Sequence, residues 1–311
     1  MTRTRTQTLA FAALLTMAAL WGSTFFLIKD LTTRLGVADL LALRFAIASL
    51  ALAVLAAPRL RIDATVLRRG AVLGLLYGAA QLLQTAGLSL TSASVTGFIT
   101  GLYVVLTPLL GAVLFRSRVN GATWAGAVLA AVGLGVLSLD GFSVGGGEAL
   151  TLASAVVYAV HILVLSRWSD PGRALGLSLV QLVVITLLCA AAALRPDAQG
   201  GAGLTLPSSA ADWWSLLYLA VIAGALTMVL QTWAQSHVEP SRAAVVMAME
   251  PVWAAGFAVA FGGERVTVRM VLGGCAIVAA MYLVELAPRR GEPSVAPSTP
   301  DSAPAADRVR R

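Results

Sequence analysis

Between Val238 and Gly263 the sequence runs VEPSRAAVVMAMEPVWAAGFAVAFGG. That is about as long as the roughly 20 apolar residues a helix needs to span a bilayer. Near its middle stands a carboxylate, Glu250, followed at once by Pro251. A charge at that depth costs on the order of 2.5–3.5 kcal/mol on insertion scales. A proline inside a helix removes the backbone bond to the carbonyl four residues back, here Met247. A span that tolerates both defects places them beside a polar cavity. The rest of the chain reads as the scaffold around it.

That reading needs an apolar chain, and composition supplies one. The 311 residues are 58% hydrophobic and 12% charged, with a mean hydropathy of +0.84. Soluble domains carry about 25% charged residues, so this is a polytopic membrane protein. Apolar runs between short polar loops give ten spans: 8–28, 38–57, 70–90, 94–115, 122–139, 148–166, 175–194, 213–235, 242–262 and 268–286. Arg3 and Arg5 ahead of the first run imitate a secretory signal, but no A-x-A site follows and the segment continues through Ser23, Thr24 and Lys29, so it reads as a retained span. With the N-terminus inside, 16 of the 22 basic residues fall on the cytoplasmic side. The positive-inside rule therefore puts both termini in the cytoplasm. The net charge of +7 is topogenic on this reading, and nucleic acid is not an expected partner. Cys189 and Cys275 fall in apolar spans without metal-ligand spacing and read as free thiols. Residues 288–311, rich in Pro, Ala and Ser, read as a disordered cytoplasmic tail.

Shifting the chain by 147 residues lays 70–138 on 217–285 without a gap. Gln84-Thr85 then falls on Gln231-Thr232, Ser89 on Ser236, Ser94 on Ser241, Arg118-Val119 on Arg265-Val266 and Gly126 on Gly273. Polar and glycine matches in one register mark an internal duplication. Two five-span units follow, 1–140 and 145–287. Five is odd, so the second enters the membrane from the opposite side. The expected fold is an all-α integral membrane protein of ten transmembrane helices arranged as two inverted five-helix repeats, with a substrate site at their interface.

The residues that carry a family resemblance lie along both units. They are Trp21-Gly22-Ser23-Thr24, Arg44-Phe45, Gln84-Thr85-Ala86-Gly87-Leu88 running into Thr91-Ser92-Ala93-Ser94, Pro240-Ser241-Arg242-Ala243-Ala244, Glu250-Pro251-Val252-Trp253 and Gly263-Glu264-Arg265-Val266-Thr267. In this order and spacing the chain resembles the EamA-type family of the drug/metabolite transporter superfamily. The resemblance implies ten helices, a bacterial inner membrane and efflux of small metabolites, often amino acids or related compounds. One departure stands out. After the fourth span the family's G-E-R motif is replaced by Arg116-Ser117-Arg118, without the acid.

Helical spacing gathers the in-span polar residues into stripes. Tyr77, Gln81 and Gln84 form one; Thr96, Thr100, Tyr103 and Thr107 a second; Ser154, Tyr158 and His161 a third; Thr227, Gln231 and Gln235 a fourth, with Glu250 on the ninth span. Such groups avoid lipid and face the bundle, which points to a wet central pathway. Trp21, Gln81, Gln84, Tyr103, Tyr158, His161, Gln231, Glu250 and Trp253 are the candidate substrate-binding residues. Glu250 and His161 are the candidates for proton coupling, since a histidine titrates near pH 6.5. Each also fits a purely structural reading, as a hydrogen-bond partner between helices. Arg44 reads as a snorkelling residue or a helix-fixing ion pair. Gly70, Gly74 and Gly78, and Gly97 and Gly101, have the small-residue spacing of close helix contacts. Pro108 and Pro251 are expected to kink the fourth and ninth spans.

These features describe a secondary transporter that exports a small polar or amphipathic metabolite by alternating access, with no cofactor and no metal. No G-x-x-x-x-G-K-[ST] occurs, and Lys29 is the sole lysine, so ATP drive within this chain is not expected. An integral-membrane enzyme would need catalytic groups gathered at one face, and neither H-E-x-x-H nor a paired acidic loop motif is present. A passive facilitator is the alternative that remains open.

Overall fold

In a bilayer every backbone polar group must be satisfied within the segment, and a chain this apolar answers with helices. The computed structural model describes residues 3–115, 121–140, 143–168, 173–194, 204–227, 230, 234 and 246–285. The elements are α1 (Arg3–Leu31), α2 (Val37–Ala56), α3 (Ala64–Leu90), α4 (Ala93–Gly101), α5 (Tyr103–Phe115), α6 (Gly121–Ser138), α7 (Gly146–Trp168), α8 (Ala174–Ala193), α9 (Ala210–Leu217), α10 (Glu250–Ala260) and α11 (Val268–Glu285). The helix α9 continues as a π-helical segment, Tyr218–Leu226. Among the described residues, six stretches are long and apolar enough to cross a membrane. Three shorter apolar helices accompany them: Gly121–Val136, Ala210–Leu226 and Val268–Val284. The span expected over 242–262 is described from Val246 onward, and α10 is its helix.

The all-helical expectation has one small exception. A two-residue antiparallel ladder, β1 (Leu139–Asp140) with β2 (Ser143–Val144), joins α6 to α7. The fourth span also breaks elsewhere than expected. Its helix is interrupted at Leu102 and then runs unbroken through Pro108. The interruption adjoins Gly101, the poorest helix former but proline, where the ring of Pro251 packs against the backbone. Pro251 itself sits in the first turn of α10, where a missing N–H costs nothing.

The surface is inverted relative to a soluble protein. Leu55 and Val113 are 71% and 76% exposed, whereas Arg44 and Glu250 are 5% and 8%. Helices in lipid gain little from apolar contact with one another, so they approach where side chains are small. Gly70, Gly74 and Gly78 seat α3 on Val180, Val184 and Leu188 of α8. Gly97 and Gly101 seat the fourth span on Ala254 and Pro251 of α10, and Gly126 and Gly133 seat α6 on α11. Along these last two contacts rising numbers on one helix meet falling numbers on the other, so each pair is antiparallel. The helix α3 packs against α7 and α8, α2 against α8, and α1 against α10.

The two ends of the bundle are fastened differently. At one end Asp63 caps α3 by accepting from Val66 N–H (2.8 Å) and pairs with Arg173 at 3.0 Å. The Val66 N–H, with help from the Arg173 cation, holds the Asp63 carboxyl below the usual range. At the other end Arg34 pairs with Asp30 and Asp212, and both carboxylates hold its guanidinium in the charged form. Nearby, Lys29 Nζ donates to the carbonyls of Leu88 (3.0 Å), Ser89 (3.2 Å) and Thr91 (2.6 Å), where α3 ends. Glu264 accepts from Ala93 N–H (2.6 Å) and Ser94 N–H (3.3 Å), where α4 begins. Thr91 donates to Glu148 of α7 at 2.6 Å. The two-residue link between α3 and α4 is thus held by side chains from both units.

Candidate functional site

Seven helices bring polar groups to the centre of the bundle. From α2 comes Arg44; from α3, Tyr77, Gln81 and Gln84; from the α4–α5 break, Thr100 and Tyr103; from α7, Tyr158 and His161; from α8, Gln181; from α10, Glu250. Arg44, Gln81, Gln84, Thr100, Tyr158, His161, Gln181 and Glu250 are all buried.

Hydrogen bonds at the centre run both within and between the units. Tyr158 OH donates to Gln84 Oε1 (3.2 Å), and Gln84 Nε2 donates to Thr100 Oγ1 (3.0 Å). Tyr103 OH donates to Glu250 Oε2 at 3.4 Å. The 147-residue shift lays Tyr103 on Glu250, so this bond joins equivalent positions of the two units. The rings form a continuous line: Tyr103 to Tyr158 with centroids 6.5 Å apart, Tyr158 to Tyr77 at 5.7 Å, and Tyr77 to His161 at 5.3 Å. Glu250 is the first residue of α10, where free N–H groups give the helix end partial positive charge.

His161 Nε2 lies 2.9 Å from Gln181 Oε1. Gln181 Nε2 donates to Leu177 O (3.2 Å), which fixes the amide with its oxygen toward the imidazole. His161 Nε2 is therefore the donor. Trp21 donates to Thr227 Oγ1 at 3.0 Å. Trp253 lies one turn from Glu250, and its buried Nε1 has no acceptor among the described residues. Gln81 Nε2 donates to Tyr77 OH at 3.2 Å, while Gln81 Oε1 is buried without a donor among the described residues. Gln231, with Gln235, lies outside the described residues. Several stripe members bond their own helix instead: Thr96 to Ser92 O, Thr107 to Tyr103 O, and Ser154 to Thr151 O.

Two residues outside the candidate set and the polar stripes enter the centre. Gln181 is the one amide side chain in the largely apolar run of α8, and its polarity was the available signal. Arg44 was read as snorkelling or ion-paired; instead it is buried and donates through Nε to Leu219 O of the π-helical segment at 3.3 Å. Among the described residues it has no carboxylate partner. No three His, Cys, Asp or Glu among the described residues gather as a metal ion would require.

Comparison with known proteins gives a consistent answer. The sequence model of the EamA-like transporter family matches residues 8–139 and again 145–286. An uncharacterized transporter of Archaeoglobus fulgidus is 31% identical over 204 residues, which covers 65% of this chain and 64% of that protein. The chain thus matches a little under two thirds of that relative's length. A solved crystal structure superposes with a TM-score of 0.63 over 90% of this chain and 97% of its own, at 20% identity, which speaks to the fold.

Proposed function

Since the chain belongs to the EamA-like transporter family and is a multi-pass membrane transporter, we propose that it is a secondary carrier. It exports a small polar or amphipathic metabolite, amino-acid-like or related, across a bacterial inner membrane. The ten spans form two inverted units, with both termini cytoplasmic, that rock about a fixed midplane site. The observation that carries this reading is the pair Tyr103 and Glu250, equivalent positions of a duplicated sequence bonded to each other in the buried centre. Buried ionisable groups in a membrane bundle mark solute or proton paths. The antiparallel packing of α4 on α10 and of α6 on α11 supports the inverted relation.

Glu250 and His161 are the groups proposed to couple transport to protons. Trp21, Gln81, Gln84, Tyr103, Tyr158, Gln231 and Trp253 complete the proposed solute-binding set. The test uses purified protein in proteoliposomes with an imposed pH gradient. Wild-type protein accumulates solute against its gradient, and the Glu250→Gln, His161→Ala double variant loses the pH-driven part while downhill exchange persists. Full pH-driven transport by the double variant would end the coupling assignment. A wild type that only equilibrates solute would make the protein a facilitator.

A further inference from the structure

Arg44 is the charged side chain of this centre that the internal network leaves unanswered. A guanidinium stays protonated under all conditions a protein meets, and burying it without an anion is costly. Only Nε is used, on Leu219 O. The two terminal nitrogens, the fork that matches a planar anion, have no acceptor among the described residues. The Phe45 ring covers the group, with its centroid 5.3 Å from Arg44 Cζ. Tyr77 and Tyr158 lie within electrostatic reach. Tyr77 OH accepts from Gln81, so its own proton is free to donate, and it finds no acceptor among the described residues. Glu250 reaches the same two tyrosines without pairing with Arg44. Among the described residues, donors and positive charge therefore converge here without an anion to pair with.

We infer that Arg44 and Tyr77 anchor a carboxylate of the transported solute and so set the carrier's selectivity for carboxylate-bearing cargo. A planar carboxylate fits the guanidinium fork in two parallel bonds, and its single charge matches the single arginine. Gln81 Oε1, buried without a donor, accepts from an N–H or O–H on the same solute. This assignment rests on the carrier reading above.

The test loads proteoliposomes with a defined mixture of amino acids and short-chain carboxylic acids, each beside its amide and each amino acid also beside its decarboxylated amine, and follows release by mass spectrometry. Wild-type protein releases carboxylates at least about tenfold faster than the matched amides, the scale of a lost charge-assisted contact. Arg44→Gln abolishes that preference, Arg44→Lys keeps part of it, and Tyr77→Phe reduces it. The wild-type comparison needs no variant to fold. Release of amides as fast as carboxylates, or an undiminished preference in Arg44→Gln, would overturn the anchor and leave the carrier reading standing. Wild-type vesicles that release nothing would sink the carrier reading, and the anchor with it.

Discussion

At the scale of single residues, charge inside a span is what the sequence exposes most plainly. Glu250 and His161 stand out in apolar runs, and both lie in the buried centre. Arg44 was misjudged because a basic residue near a span end has the option of snorkelling. Only tertiary packing of α3, α7 and the π-helical segment around it removes that option. Gln231 lies outside the described residues, so its place among the candidates rests on spacing alone. Outside the membrane, Asp63 gives a pH prediction. Its carboxyl is held low by Val66 N–H and Arg173. The stability it adds is fully present above its unfolded value of about 4. That contribution is lost as pH falls through the depressed folded value. Thermal unfolding in detergent should show a lower Tm for Asp63→Ala at neutral pH, and the difference from wild type should vanish in strong acid. Asp63→Asn, which still caps the helix, should lie nearer the wild type.

At the scale of helices, the small-residue spacing was readable because its cause is local: a helix row without side chains lets a neighbour close in. A Cβ at Gly97 would stand 2.6 Å from Ala254 Cβ. Gly97→Ala should therefore cost about 1–3 kcal/mol of overpacking, read as a lower Tm of the purified protein. Gly256 of α10 is exposed and has nothing within 4 Å of an added Cβ. There the same change should stabilise, by about 0.5–1 kcal/mol of helix propensity. If both variants melt alike, the closeness of α4 and α10 is wrong. The break at Leu102 and the π-helical stretch Tyr218–Leu226 were not legible. Pro108 is a visible breaker, but the helix breaks instead beside Gly101, where Pro251 of the other unit packs. No residue type marks a π register, which tertiary demands impose.

At the scale of the whole molecule, the duplication was legible because polar and glycine matches survive in one register while apolar residues drift. Its consequence, Tyr103 meeting Glu250, needed the packing of the two units to appear. The carboxylate that the first unit lacks at Ser117 is present in the second as Glu264, and it grips the start of α4. Glu264→Gln should loosen that end. A cysteine at Ser94 should then react several-fold faster with a water-soluble maleimide than the same cysteine beside Glu264. Equal rates would show that the carboxylate does not hold the end shut. Lys29, Glu148 and Glu264 all seize the short stretch Leu88–Ser94. For a rocking carrier this makes the doorway and its bolt the same piece of backbone. On the export reading, release at that end is then a discrete unfastening rather than a gradual widening, with a tempo set by a handful of helix-terminal amides and carbonyls.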